Sequence, residues 1–322
     1  MLDPLIWARL IHFAATIAVT GAIFFLGFVA EPAFGAAKAE GGIVAYMRSR
    51  LAVISWVGLA LTIVSGAAWL LLQAAEVADL PLSEALSGGA VWALLSDTDF
   101  GQAWTLRLVI AGLLAASLAW CSRGNPLLSR QKLAVTIVVA SGLVGTLAWA
   151  GHAAAGTGVQ GGVHLVADVL HLIAGSAWAG ALIPLALLLR AALANPNQAS
   201  FTIASAAVVR FSTLGIGSVA TLVVSGAVNT WVLAGSLPAL IETDYGRLLL
   251  AKITLFLAML GFAAVNRLRL TPRLTSGTGA VGAAIGQVRR NTLIEAGLGA
   301  IIIVIVSVLG TMPPGLESQA AD

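Results

Sequence analysis

The chain has 322 residues, of which 59% are hydrophobic and only 10% charged, with 17 Lys/Arg against 14 Asp/Glu. A soluble protein carries about 25% charged residues, or roughly 80 at this length. So few charges cannot cover a water-facing surface while most of the chain seeks an apolar environment. Soluble enzymes, disordered chains and collagen-like chains are excluded, and disulfide scaffolds go with them because Cys121 is the sole cysteine. What remains is an all-α integral membrane protein, and its 35 glycines suit close packing of membrane helices.

A bilayer core about 30 Å thick takes roughly 20 apolar residues per helical crossing. Eight such runs follow one another, at 5–30, 51–75, 104–121, 133–151, 164–189, 211–234, 248–265 and 292–311. They are far longer than the strands of a membrane barrel, which alternate over about ten residues. The first run follows Met1-Leu2-Asp3-Pro4 with no basic stretch before it, so it reads as a span and not a cleaved signal.

Basic residues set the orientation. The segments after spans one, three, five and seven contain Lys38, Arg48 and Arg50; Arg123, Arg130 and Lys132; Arg190 and Arg210; and Arg267, Arg269, Arg273, Arg289 and Arg290. The segment after span two has Glu76, Asp79, Glu84, Asp97 and Asp99 and no Lys or Arg. The positive-inside rule then predicts eight spans with both termini periplasmic or extracellular. The net charge of +3 belongs to the inner loops and gives no ground for a nucleic-acid partner. Cys121, at the inner end of span three, reads as a packing residue.

The chain also matches itself. Arg50 and Ser65-Gly66 return 160 residues later as Arg210 and Ser225-Gly226, and His12 and Gly21 return as His171 and Gly180. Asp99-Phe100-Gly101 with Arg107 returns as Asp244-Tyr245-Gly246 with Lys252. Four spans followed by four in the same orientation predict two parallel four-helix repeats, 1–152 and 153–322, within one membrane domain. The halves differ in polarity, because Arg9 stands where the second half has Asp168 and Thr311 where the first half has His152.

All four histidines fall in the outer half of the membrane. His12 lies in span one, His152 closes span four, His164 opens span five and His171 lies two turns deeper. His164, Asp168 and His171 are spaced i, i+4 and i+7, so they share about 60° of a helix face over roughly 10 Å. An ionisable residue inside a span is costly and marks function by default. Imidazoles with a neighbouring carboxylate are a ligand set for Cu, Zn, Fe or Ni. The short segment 153–163 makes spans four and five neighbours, which would let His152 face the same stripe, with Trp178 as its floor. These four residues are therefore the predicted metal site, and His12 and Met312 are its outlying candidates.

Other intramembrane charges are structural or gating candidates. Arg9, Arg107 and Lys252 lie near the outer face, where long side chains snorkel or pair with acidic loops. The repeated Asp-aromatic-Gly pattern followed by a basic residue reads as the start of a helix that brings its own charge partner. Glu295 follows Arg289 and Arg290 at the inner end of span eight and is expected to pair with them or to act as a gate.

Several stretches together resemble the CopD family of bacterial inner-membrane copper-resistance and copper-uptake proteins, of which the YcnJ type is a fused relative. They are Val169-Leu170-His171 continuing to Trp178 and Gly180, Arg210-Phe211-Ser212 leading to Ser225-Gly226, Tyr245-Gly246-Arg247 with Lys252, and Asn266-Arg267 followed by Thr271-Pro272. The resemblance is best over 150–312. It implies a copper transporter and not an enzyme, with copper as Cu(I) or Cu(II), beside a separate periplasmic CopC-like copper-binding partner. No nucleotide-binding motif is visible, so transport would run on an ion gradient, the membrane potential or a partner. Two rival readings use the same residues. One is a haem-b electron carrier with His171 and His12 as axial ligands; the other is a non-transporting scaffold that docks a CopC-like protein through the acidic 76–103 segment.

Overall fold

A computed structural model describes residues 3–38, 42–87, 89–122, 130–151, 158–275 and 281–313, and none of them is in a strand. Eight helices among the described residues are long and apolar enough to cross a membrane. They are α1 (Pro4–Ala36), α2 (Gly42–Ala78), α3 (Asp99–Ser122), α4 (Arg130–Ala150), α5 (Gly158–Ala194), α6 (Gln198–Ala234), α7 (Asp244–Leu274) and α8 (Val281–Leu309). Each contains the apolar core of one predicted run, and most are longer than it. At 37 residues, α2, α5 and α6 reach about 55 Å, because hydropathy marks only the lipid-immersed part while the helix continues through the headgroup layer.

Local chemistry starts and bends these helices. Asp3 accepts the Leu5 N–H at 2.8 Å with Pro4 at the first helical position, so α1 begins there. Asn197 caps α6 through the Ser200 N–H at 2.9 Å. α1 and α7 each contain a π-helical turn near the C-terminal end, Phe25–Ala30 and Asn266–Leu270, just before Pro32 and Pro272. Proline has no N–H to continue the regular ladder, and a wider turn absorbs the gap.

The centre is built on α1 and α5. Their most apolar windows are 67% and 61% buried, against 22% for α3 and 11% for α7, which face outward. The two central helices cross where Gly21 lies against the Gly180 backbone, leaving no space for a side chain on either. Small residues at a membrane crossing let backbones approach and gain dispersion contacts. Inward of that crossing, Phe25, Val29, Leu182, Leu185, Leu189, Ile203 and Ile285 form one apolar cluster. Arg48 pins the same end by a bidentate pair to Glu31, 2.7 Å on each arm.

Short helices follow α2 and α6: Leu82–Ser87 and Ala90–Asp97 after the former, Leu237–Glu242 after the latter. They seat the next span in matching ways. Gly101 of α3 packs on the Leu94–Leu95 backbone, and Gly246 of α7 on Ala239–Leu240. Thr98 and Thr243 each accept the N–H of that glycine at 3.0 Å.

Candidate functional site

A cavity of about 740 Å³ lies in the second half, at the end of the bundle where α1 begins, walled by α5, α6, α7 and α8 with Arg9, Phe13 and Ile17 of α1. His164, Asp168 and His171 all line it, so the helical stripe read from spacing does face one space. Trp178 lines it deeper on α5, held edge-on to Phe256 with ring centroids 6.0 Å apart. His164 is 2% exposed, and Asp168 and His171 are partly buried.

The polar groups are fixed from the neighbouring helices. His171 Nδ1 lies 3.0 Å from Ser225 Oγ, and that hydroxyl donates to Thr221 O, so it can accept the imidazole N–H. This leaves Nε2 as the lone-pair nitrogen. Asn229 donates Nδ2–H to Asp168 Oδ1 at 3.1 Å, while its own Oδ1 is buried without a partner among the described residues. Lys252 of α7 lines the same cavity and acts electrostatically on Asp168 and His171 without forming a direct ion pair with the carboxylate. Tyr245, 4% exposed, completes the outer wall.

The corresponding place in the first half is filled. His12 Nδ1 lies 3.0 Å from Thr62 O and 3.2 Å from Ser65 Oγ, and its ring packs against Trp69 and Trp104 at 5.6 and 5.4 Å. Arg9 stacks on Trp69 at 4.7 Å, and Arg107 on Trp104 at 4.4 Å. Arg107 donates Nε–H to Thr146 Oγ1 at 3.0 Å and Nη2–H to Thr146 O at 2.7 Å, which ties α3 to the last turn of α4.

Among the outlying candidates, His12 and Met312 are not cavity-lining residues; Met312 packs beside Tyr245 and Leu309 near the mouth. His152 and Arg123 lie outside the described residues. Among the described residues no three His, Cys, Asp or Glu side chains converge as a ready-made metal cage. Axial haem ligation needs two imidazoles facing across one space. His12 is instead enclosed by tryptophans while His171 faces the cavity, so these two do not form an axial haem pair.

Two pairing expectations are corrected. The basic residues that follow the Asp-aromatic-Gly pattern do not pair with its aspartate. Eight residues along a helix is about 12 Å, so Arg107 turns to Thr146 and Trp104, and Lys252 to the Asp168 side of the cavity. Asp244 pairs with Arg247 instead, at 3.4 Å. Glu295 does not pair with Arg289 or Arg290, which sit six and five residues earlier and therefore on other faces of α8. Its Oε1 accepts the Asn266 Nδ2–H at 2.9 Å.

Spacing alone did not single out Asn229 or Tyr245 as site residues. Asn229 carries a readable signal, since a polar residue four positions after Ser225 lies on the same helix face inside an otherwise apolar span.

Comparison with known proteins matches this sequence to named relatives. The family described as copper resistance protein D-like, N-terminal domain, matches residues 1–163, and the family copper resistance protein D matches 205–309. Copper resistance protein D of Pseudomonas syringae pv. tomato is 29% identical over 295 residues, covering 88% of this chain and 89% of the relative. Inner membrane protein YebZ of Escherichia coli strain K12 is 27% identical over 70% of this chain and 72% of its own. Copper transport protein CutJ of Bacillus subtilis strain 168 is 28% identical over 71% of this chain, which spans 40% of that longer protein. A match extending from residue 1 to 163, and resuming at 205 to reach 309, takes in both halves of the molecule. The chain belongs to the copper resistance protein D family.

Proposed function

We propose that the chain carries copper across the bacterial inner membrane, from the periplasm inward, through the second four-helix unit. The observation that carries this reading is the cavity itself: it gathers His164, Asp168 and His171 on one wall, with a buried and unpartnered amide oxygen of Asn229 beside them. Neutral imidazole nitrogens and a carboxylate can replace part of the hydration shell of a copper ion. His152, on the segment between α4 and α5, would add a further nitrogen. An incomplete and exchangeable shell suits a carrier, because an ion held as tightly as in a structural site would not leave. Ser225 and Asn229 orient the ligands, and Lys252 balances the carboxylate when no ion is bound.

The orientation belongs to the same reading. With both termini outside, the cavity opens to the periplasm and the Arg48–Glu31 pair sits at the cytoplasmic face. Two parallel repeats, 1–152 and 153–322, account for the matched capping at Thr98 and Thr243 and for the meeting of Gly21 with Gly180. Equivalent residues meet at a two-fold axis, which is why the repeated glycines would face each other. A periplasmic copper-binding protein would deliver its ion at the outer end, where Glu76, Asp79, Glu84, Asp97 and Asp99 are exposed.

The test is copper accumulation in proteoliposomes containing a trapped copper chelator. Wild-type protein is expected to fill the chelator, and Asp168→Asn combined with His171→Ala to leave it empty while eluting as a folded species. Wild-type uptake by that double variant would refute the site.

A further inference from the structure

In the second half, four buried side-chain oxygens have no hydrogen-bond partner among the described residues: Asn229 Oδ1, Ser176 Oγ, Thr292 Oγ1 and Glu295 Oε2. They are ordered in depth. Asn229 stands beside Asp168, and Ser176 lies five residues inward of His171 on the cavity wall. Thr292 and Glu295 lie on α8 beneath the cavity floor. Gly299 belongs to that floor, and Glu295, four residues inward, is about 6 Å further along the helix axis.

Met259 and Gly299 meet at the floor. A side chain at Gly299 would stand 3.6 Å from the Met259 methyl and 3.8 Å from Cβ of Ala179, the residue after Trp178, and Trp178, Met259 and Gly299 all line the cavity. Below it, Glu295 is 1% exposed and Thr292 is fully buried. Asn291 donates Nδ2–H to Asn266 Oδ1 at 2.8 Å, and Asn266 donates Nδ2–H to Glu295 Oε1 at 2.9 Å. This chain of amides fixes Glu295 but satisfies only one of its oxygens. Asn266 also opens the π-helical turn of α7, and such turns recur at functional sites.

A buried polar atom without a partner is costly, and native proteins rarely keep one. Glu295 Oε2 and Thr292 Oγ1, three residues apart on one face of α8, offer two oxygen ligands beside the Asn266 and Asn291 amides. We infer that Glu295 and Thr292 are an inner cation-binding station, and that Trp178 and Met259 over Gly299 form the constriction between it and the outer cavity. The inference rests on the transport reading above and supplies its second step. An ion leaving the imidazole and carboxylate site passes the Met259 thioether, a soft donor, and meets a carboxylate, a hydroxyl and an amide close to the cytoplasmic face. Two weak sites separated by one apolar step let an ion enter and also leave.

The test uses the full chain with Glu295→Gln, with copper supplied as Cu(I) under ascorbate. Equilibrium dialysis in detergent counts bound copper, and a chelator trapped in proteoliposomes reports transport. The expected result is loss of one equivalent of bound copper with the outer one kept, and a fall in flux of about tenfold or more. Glu295→Asp, which retains a carboxylate, is expected to recover part of both. Wild-type flux, or reduced flux with an unchanged copper count, overturns the station. If Glu295→Gln does not elute as a folded species, Thr292→Val removes only the hydroxyl, and wild-type flux in that variant overturns the inference equally. Asp168→Asn run in parallel separates the two claims. Flux lost there but kept in Glu295→Gln defeats the inner station alone, and flux kept in both defeats the transport site.

Discussion

The two halves of the molecule place a histidine, a serine and a glycine in the same relation and then surround them with opposite chemistry. His12 meets Ser65 and Gly66 as His171 meets Ser225 and Gly226, through Nδ1 contacts of 3.2 and 3.0 Å. Around His12 stand Trp69, Trp104, Arg9 and Arg107; around His171 stand Asn229, Leu249, Asp168 and Lys252. Two indoles fill the first space, whereas an amide and a leucine leave the second open. Among the described residues, five buried nitrogens lack partners in the first half, and four buried oxygens with the single nitrogen Arg289 Nε lack them in the second. Around His12 the unpartnered nitrogens of Arg9, Trp69, Trp104 and Arg107 are N–H donors and only His12 Nε2 carries a lone pair, beside two stacked guanidiniums that repel a metal ion. The second space offers the oxygens of Asp168 and Asn229 and the His171 ring, with Lys252 and Arg9 also on its wall. One scaffold thus forms a packed brace in one half and an open cavity with a candidate site in the other, and the difference lies in a handful of side chains.

The sharpest way to break this comparison is to empty the site. Asp168→Asn with His171→Ala is expected to lower copper uptake by about 100-fold, at the upper end of what loss of metal-site residues costs. Uptake within a factor of two of wild type would mean that the second half is a brace as well. Next comes the brace itself. Thr146→Val orphans the Nε–H of a buried guanidinium and should lower stability by about 1.5–3 kcal/mol, while uptake per folded molecule is unchanged. Chemical denaturation in detergent and flux at matched protein measure the two effects.

A paired experiment compares the equivalent serines. Ser225→Ala frees the His171 ring and is expected to weaken copper binding about tenfold. Ser65→Ala is expected to leave copper binding unchanged and cost about 1 kcal/mol. Equal effects on copper binding would erase the functional distinction between the halves. The smallest effect is expected at the cavity rim: Trp231 is 74% exposed, and Trp231→Ala should stay within about 0.5 kcal/mol of wild type with unaltered uptake.

Much of this architecture was readable because membrane burial is written in composition. Each of the eight apolar runs lies on one of the eight helices, since a lipid-facing helix must be apolar over a length set by the bilayer. The stripe of His164, Asp168 and His171 was readable too, because positions within one helix follow from its pitch. The failures lie where a residue chooses between distant partners. Arg107 reaches Thr146 in another helix, and Glu295 takes Asn266 across 29 residues while ignoring the arginines next to it in sequence. Asn229 looked like one polar residue in a span until α6 brought it against Asp168.

The sequence by itself determined the class of protein, the eight spans, the internal match between the halves and the face on which the candidate ligands sit. These follow from local periodicity and from the cost of placing charge in hydrocarbon. Only the tertiary structure decided that His171 faces a cavity while His12 is walled in, that Arg9 reaches across from α1 to line the second-half cavity, and that Glu295 lies one turn beneath its floor. Side-chain volume at the contact between helices governs that outcome. A tryptophan at one position and an asparagine at its counterpart, each ordinary in its own helix, make the difference between a filled space and an open one.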